Sequence, residues 1–119
     1  QLMERVVQLQ DKQGFWHSSL LDASSYPMPE TSASGLFTYG LFWGINHGLL
    51  NKKKYTSIAV KAWEALCTVV DADGKVGFVQ PIGADPKSVN KEDTEVYGTG
   101  AFLLAACEYI NFLETNKIL

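Results

Sequence analysis

The sequence predicts an all-α fold in which helical hairpins form part of an α/α toroid. Two segments, residues 30–50 and 94–116, are apolar on nearly every side of a helix, which is typical of helices surrounded by protein. Amphipathic segments precede the first and follow it, as expected for outer helices. The two apolar segments also share a motif at a spacing of 65 residues, which indicates a structural repeat. The chain holds scarcely two hairpins, so a closed ring needs others.

Composition favours one folded segment over residues 1–119, with 46% hydrophobic and 19% charged residues. The net charge of -3 and the total of 10 Lys and Arg argue against nucleic-acid binding, because only residues 52–54 form a basic cluster. Cys67 and Cys107 lack a CxxC pattern and clustered histidines, which argues against a zinc site or a disulfide framework. We expect both to be buried free thiols.

The first 30 residues are expected to end one helix and to form a loop. Residues 1–11 have the pattern of the tail of an outer amphipathic helix. Residues 12–14 form a turn, and residues 15–22 follow as an extended segment. Pro27 and Pro29 keep the next residues in a loop. Because the chain opens inside a helical pattern, we expect it to be a piece of a longer protein.

The first inner helix is predicted to begin with Thr31 or Ser32 as its N-cap and to end between residues 48 and 51. Gly40, Gly44 and Gly48 are four residues apart, so they form a strip where another backbone could approach closely. The same strip is typical of a pair of membrane-spanning helices, although polar residues interrupt the apolar run and basic flanks are missing. An ordinary buried helix of an all-α domain is the other alternative.

An amphipathic outer helix is predicted from Tyr55 to about residue 70. Residues 71–74 then read Asp-Ala-Asp-Gly, which predicts a β-hairpin turn between residues 69–70 and 76–79. A calcium loop would need more oxygen ligands at alternating positions. Residues 81–93 are expected to be a loop that leads into the second inner helix, residues 94–116.

The starts of the two inner helices repeat each other. Glu30, followed by Ser34-Gly35 and Phe37, matches Glu95, followed by Thr99-Gly100 and Phe102. The loops ahead of them also match, since Gly14-Phe15 corresponds to Gly77-Phe78. This predicts two repeat units, residues 12–71 and 75–119. The missing neighbours would come from an earlier segment or from other copies of the chain.

An ordered set of motifs across nearly the whole chain resembles the unsaturated uronyl and rhamnogalacturonyl hydrolases, glycoside hydrolase families 88 and 105. These motifs are Gly14-Phe15-Trp16, Leu20-Leu21-Asp22, Tyr26, Glu30-Thr31-Ser32-Ala33-Ser34, Tyr39-Gly40, Gly44, Gly48-Leu49, Tyr55, Ala62-Trp63, Leu66, Asp73-Gly74 and Tyr97-Gly98-Thr99-Gly100-Ala101-Phe102-Leu103-Leu104-Ala105. The resemblance implies a six-hairpin (α/α)6 barrel, of which this chain would be the C-terminal third.

The resemblance also implies an activity. Members of these families release an unsaturated uronic acid from oligosaccharides that polysaccharide lyases produce. An aspartate protonates C4 of the vinyl ether, water adds at C5, and the resulting hemiketal collapses. No metal is needed, and we expect no cofactor. The two aspartates that usually do this belong to the earlier half of the barrel, so none is assigned here, and Asp22 lies in a different motif.

The expected substrate contacts are peripheral to that chemistry. In such a toroid the loops ahead of inner helices line one mouth, and the positive helix ends there favour a substrate carboxylate. Trp16 is the first candidate, either stacking on a sugar ring or packing the loop. The family pattern has an Arg four positions earlier that holds the carboxylate, and here Lys12 keeps the charge without the planar fork.

His17, Asp22 and Tyr97 complete the expected substrate-binding set. A structural role is the stronger alternative for His17, and packing is equally expected for Tyr97. Glu30 and Glu95 are better explained by the dipoles of the helices they begin than by a pair of catalytic carboxylates. The competing functional hypothesis is a non-catalytic helical-hairpin domain that pairs with itself or a partner.

Overall fold

The computed structural model of the protein describes residues 1–118, which contain four α-helices. They are α1 (Leu2–Gln8), α2 (Thr31–Asn46), α3 (Lys52–Thr68) and α4 (Val96–Thr115). Within this part of the chain, the predicted β-hairpin is reduced to a single antiparallel bridge between Val70 and Val76. The prediction of an all-α fold is confirmed.

The two predicted inner helices, α2 and α4, pack directly against each other. Phe42 of α2 is fully buried, and its ring lies 5.4 Å from that of Phe112 and 5.2 Å from that of Tyr109 on α4. The outer helix α3 covers this pair with its own apolar face, which includes the buried residues Tyr55 and Ala59. Burying these aromatic side chains stabilises the arrangement, because each removes a large apolar area from water.

The backbones of α2 and α4 approach each other closely at Gly35, not at the predicted glycine strip. A Cβ atom added to Gly35 would lie 2.9 Å from the Ala101 Cβ and 3.0 Å from the Ala101 carbonyl carbon. Gly44 instead makes room for the Leu50 side chain, and Gly40 faces Met3. Gly48 lies beyond the end of α2 with φ of +70°. The strip prediction was therefore wrong, because the helices cross one turn after their start.

One side of α4 is exposed, although its sequence is apolar on all sides. Leu103, Leu104 and Ile110 are each about half exposed there, next to Cys107. Cys67 on α3 is also exposed, so the prediction that both cysteines are buried was wrong. Thiol burial depends on neighbouring helices, and these faces have none within residues 1–118.

Among the described residues, only α4 is long and apolar enough to cross a membrane by length and composition. The core helix of a globular protein meets the same criteria. The 16 residues of α2 fall short of the roughly 20 that a spanning helix needs.

Candidate functional site

A cavity of about 410 Å³ lies at the N-terminal end of α2. Two loops line it: the first loop, residues 12–30, and the second loop, residues 77–95, which precede α2 and α4 respectively. A smaller cavity of about 200 Å³ adjoins it and shares Ser18 and Gln80. Sequence reasoning placed the mouth between these two loops, and the larger cavity has the size of an ordinary small-ligand pocket.

Glu30 fastens the start of α2 to the second loop. It is the N-cap of α2, and its carboxylate accepts from Ser32 N at 3.2 Å and Ala33 N at 2.7 Å. The Gln80 N–H also donates to Glu30 Oε1, at 3.2 Å. The predicted N-cap, Thr31 or Ser32, was wrong, because the longer Glu30 side chain reaches both the helix and the other loop. The predicted role of Glu30 at the positive end of the helix dipole agrees with its position as the N-cap of α2.

Thr31 makes the second link between α2 and the second loop. Its hydroxyl donates to Gly77 O at 2.7 Å, and its backbone N–H donates to Phe78 O at 3.0 Å. Thr31 is fully buried, so both bonds are shielded from water. Together with Glu30, these contacts hold the two walls of the cavity at a set distance.

The positive end of α2 is therefore already neutralised. Glu30 is 5% exposed, and its carboxylate occupies N–H groups that were expected to attract a substrate carboxylate. At α4 the corresponding Glu95 is exposed and makes no side-chain cap bond. Since Glu30 is buried in a capping role and Glu95 is exposed outside the cavity lining, the two carboxylates do not form an acid and base pair.

The first loop is closed at its base by Asp11 and His17. Asp11 Oδ1 accepts from the backbone N–H groups of Gln13, Gly14 and Phe15 at 2.8, 2.8 and 2.9 Å. His17 Nε2 lies 2.8 Å from Asp11 Oδ2. Burial opposes ionisation of Asp11, but these hydrogen bonds outweigh it and hold the pKa of the carboxyl below its ordinary value.

Trp16 packs the loop and presents no surface on which a sugar ring could stack. Its side chain is 0% exposed, and its Nε1–H donates to Val6 O at 2.7 Å. Of the two roles predicted for Trp16, the structure shows packing of the loop and not stacking on a sugar ring. Its ring lies 5.3 Å from that of Phe37 in an edge-to-face arrangement. Phe37 lines the cavity, so Trp16 supports the aromatic wall from behind.

The remaining predicted contacts, Lys12, Asp22 and Tyr97, lie outside the lining of both cavities. Lys12 and Asp22 are exposed and line neither cavity. The Asp22 carboxylate accepts from the hydroxyls of Ser25 at 2.7 Å and Ser24 at 2.9 Å, which lower its pKa. Tyr97 donates its hydroxyl hydrogen to Gln80 O, and burial raises its pKa, with smaller contributions from nearby carboxylates.

Most residues that line the cavity were missed by sequence reasoning, among them Ser18, Ser32, Phe37, Gln80 and Asp85. Phe37 belongs to the repeated helix start, which was the signal that could have found it. Gln80 lies in both cavities, and its side chain binds the backbone of Lys87 through Lys87 N, 2.9 Å from Gln80 Oε1, and Lys87 O. Residues 81–93 had been predicted only as a loop, and that pattern does not say which side chains face a cavity.

The cavity offers one aromatic wall with hydroxyl, amide and carboxylate groups around it. Ser18, Ser32 and Gln80 are polar groups of the kind that bind hydroxyl groups, and Phe37 offers an apolar surface of the kind on which a ring can pack. Among the described residues, no group of three or more His, Cys, Asp or Glu side chains could hold a metal ion. This arrangement suits binding of a neutral polar ring.

Comparison with known proteins extends over nearly the whole chain. The family model described as Glycosyl Hydrolase Family 88 matches residues 1–113. A curated protein of Formosa agariphila, "Unsaturated 3S-rhamnoglycuronyl hydrolase", is 42% identical over 113 residues, which are 95% of this chain and 30% of that protein. The chain thus spans between about a quarter and a third of the length of the curated relatives it matches.

Solved structures agree with the fold. A glycosyl hydrolase family 88 protein from Bacteroides vulgatus has a TM-score of 0.89 and 46% identity, over 94% of this chain and 33% of that one. A structure described as a polysaccharide lyase has a TM-score of 0.88 and 47% identity, over 95% of this chain and 33% of that one. The described helices therefore have the fold of about a third of an (α/α)6 barrel.

Proposed function

Because the chain belongs to glycosyl hydrolase family 88, we propose that it is part of an enzyme that releases an unsaturated uronic acid from the end of lyase-generated oligosaccharides. The observation that carries this proposal is the family match over residues 1–113, together with a relative named as an unsaturated rhamnoglycuronyl hydrolase. It is favoured over a non-catalytic helical-hairpin domain, because both curated relatives carry the name of a hydrolase.

In this proposal the chain supplies one side of the substrate mouth, and the reacting aspartates lie in another part of the enzyme. The buried, capping Glu30 and the exposed Glu95 support that division, because they are not placed as an acid and a base. The acid elsewhere protonates C4 of the vinyl ether, water adds at C5, and the hemiketal collapses to release the next sugar.

The larger cavity is the proposed sugar contact of this chain. Phe37 would pack on a ring face while Ser18, Ser32 and Gln80 bind hydroxyl groups. Lys12, Asp22 and Tyr97 remain proposed contacts at the periphery. Lys12 is exposed, so its ammonium group could reach an anionic substrate without loss of an internal bond.

The rest of the barrel is the proposed partner of the exposed side of α4. Leu103, Leu104 and Ile110 leave an apolar face that neighbouring hairpins of the same toroid would cover. Repeat units at residues 12–71 and 75–119 stay a prediction that fits this assembly.

A chimera tests the proposed function. The 113 residues of the Formosa agariphila relative that match this chain are replaced by the corresponding residues of this chain. The chimera is then incubated with an unsaturated uronyl disaccharide, and the ultraviolet absorbance of its double bond is followed. We expect absorbance to fall, because hydration of the vinyl ether removes the double bond. A chimera that is soluble, with native circular dichroism, but without turnover would overturn the proposal.

Two controls sharpen the experiment. The same relative without the matched segment should be inactive if this part of the barrel is required. A lyase would create double bonds from a saturated polysaccharide, so absorbance would rise, and that sign separates the two reaction classes named among the similar structures. The 119-residue chain alone should show no turnover, and turnover by it would place the catalytic acid here.

A further inference from the structure

His17 connects the two ends of the first loop. The residue is 9% exposed, and its Nδ1 lies 3.0 Å from Tyr26 O and 3.1 Å from Met28 O. On the opposite side, Nε2 lies 2.8 Å from Asp11 Oδ2. The ring thus joins the turn at Asp11 to the segment that leads into α2, across more than ten residues of loop.

The three atoms within hydrogen-bond distance of the His17 ring nitrogens are all hydrogen-bond acceptors. The carbonyl oxygens of Tyr26 and Met28 accept only, and an ionised Asp11 carboxylate also accepts only. A neutral imidazole carries one N–H, so one of its nitrogens would face an acceptor without a hydrogen. The imidazolium carries two and satisfies both sides, and Asp11 supplies the opposite charge that a buried cation requires.

The surroundings of Asp11 keep it ionised and in place. Three backbone N–H groups donate to its Oδ1, as described above. The Lys61 ammonium lies 3.2 Å from the Asp11 backbone oxygen, so α3 also brings a positive charge to this turn. The carboxylate is held against rotation and presents its second oxygen to His17.

We propose that His17, held as an imidazolium by Asp11, is a positioning residue that clamps the first loop and thereby sets the shape of the sugar cavity. This clamp, defined as Asp11, His17 and the carbonyls of Tyr26 and Met28, rests on the proposed function for its substrate role. His17 and Ser18 line the larger cavity, and Tyr26 and Met28 line the smaller one. Releasing the clamp therefore loosens one wall of both cavities.

The clamp has a direct spectroscopic test in the chain itself. At about pH 7, side-chain 15N spectra should show both His17 nitrogens carrying hydrogen. Asp11→Asn is nearly isosteric and offers an N–H to Nε2, so the ring should become neutral with hydrogen on Nδ1 alone while the loop stays closed. A wild-type ring with one protonated nitrogen would overturn the assignment.

Hydrogen exchange tests whether the ring holds the loop. The amides of Tyr26 and Glu30 are bonded within the first loop, to Ala23 O and Trp16 O. In His17→Gln they should exchange at least about tenfold faster, because hydrogen bonds to a charged group are lost. The Phe42 amide in α2 should be unchanged, and equal exchange at the loop in variant and wild type would contradict the clamp.

The matched control is the other histidine of the chain. His47 is exposed, donates from Nδ1–H to Trp43 O at 2.8 Å, and stacks on the Trp43 ring. It lines neither cavity. His47→Gln should leave exchange in the first loop at the wild-type rate.

The chimera described above tests the substrate role. His17→Gln should raise KM about tenfold with kcat within about twofold, because the loop contributes binding and no reacting group. His47→Gln should change neither constant. If exchange rises but KM does not, the positioning role is overturned. If the unmodified chimera is inactive, the proposed function and this substrate role fall together, while the spectra and exchange still decide the clamp.

Discussion

Replacing Gly35 by alanine tests the crossing of α2 and α4 that organises the fold. Alanine has about 1 kcal/mol better helix propensity than glycine in a helix interior. At Gly35, however, the new Cβ would meet Ala101 Cβ at 2.9 Å and the Ala101 carbonyl carbon at 3.0 Å. The obstacle is partly backbone, which cannot rotate away. Overpacking of this kind costs about 1–3 kcal/mol, so we expect no gain or a net loss of up to about 2 kcal/mol.

Gly100 provides the matched control, because it holds the corresponding position in the second predicted repeat unit. It is the fifth residue of α4, as Gly35 is the fifth of α2. A Cβ added to Gly100 meets nothing within 4 Å. Gly100→Ala should therefore stabilise the chain by about 1 kcal/mol. The difference between the two substitutions isolates the packing cost at the crossing.

Urea denaturation measures that difference. With a slope of about 2 kcal/mol per molar urea, the unfolding midpoints of the two variants should be separated by about 0.5–1.5 M. Equal stabilisation by both substitutions would mean that α2 and α4 do not cross at Gly35. The inner-helix pair on which the fold and the cavity depend would then be refuted.

Three further measurements probe other parts of the molecule. Thr31→Val should lower the free energy of unfolding by about 1–3 kcal/mol, because Gly77 O loses its buried donor. A loss below about 0.5 kcal/mol in urea melts would contradict that hydrogen bond. The pKa of Asp11 is lowered in the folded protein, so its ionised carboxylate stabilises the fold at pH values above the unfolded pKa of about 3.9. This stability is lost as pH falls through the folded pKa. In acid melts, the free energy of unfolding of Asp11→Asn should therefore depend less on pH below about 4. Cys67 and Cys107 should react with a thiol reagent in native protein. Partial desolvation of the exposed Cys67 and, to a smaller extent, the charge of Glu64 raise the pKa of its thiol, so its rate of reaction should keep rising above the ordinary thiol range. Protection of either cysteine until unfolding would refute their exposure.

The helices were predictable because their signals are local and repeated. Residues 94–116 were predicted as the second inner helix, and α4 runs from Val96 to Thr115. The first was expected to end between residues 48 and 51 and ends at Asn46, followed by Gly48 with a positive φ. α3 begins at Lys52, three residues before the predicted Tyr55, because Asn51 caps it through Lys54 N. Asn51 can be recognised in the sequence as a possible cap, but the lysines that follow it favoured a later start for the predicted helix.

The cavity was predictable in place but not in content. Its two loops were expected at one mouth because each precedes an inner helix. The side chains were assigned less well. Trp16 is buried under Phe37, and the ring nitrogens of His17 are hydrogen-bonded to Asp11 and to a carbonyl of the first loop. An aromatic or a histidine in a loop has the same local pattern whether it faces a ligand or the core. Only the position of the neighbouring elements separates the two.

By itself, the sequence determined the all-α class, the order of inner and outer helices, and the pairing of two loops at one end, because helical periodicity and the 65-residue spacing are properties of the chain alone. The tertiary structure decided which glycine lies at the helix crossing, that Glu30 caps α2 while binding Gln80, and that the cysteines are exposed. Each of these depends on distances between segments far apart in sequence. Such distances follow from how the helices pack, which no local pattern records.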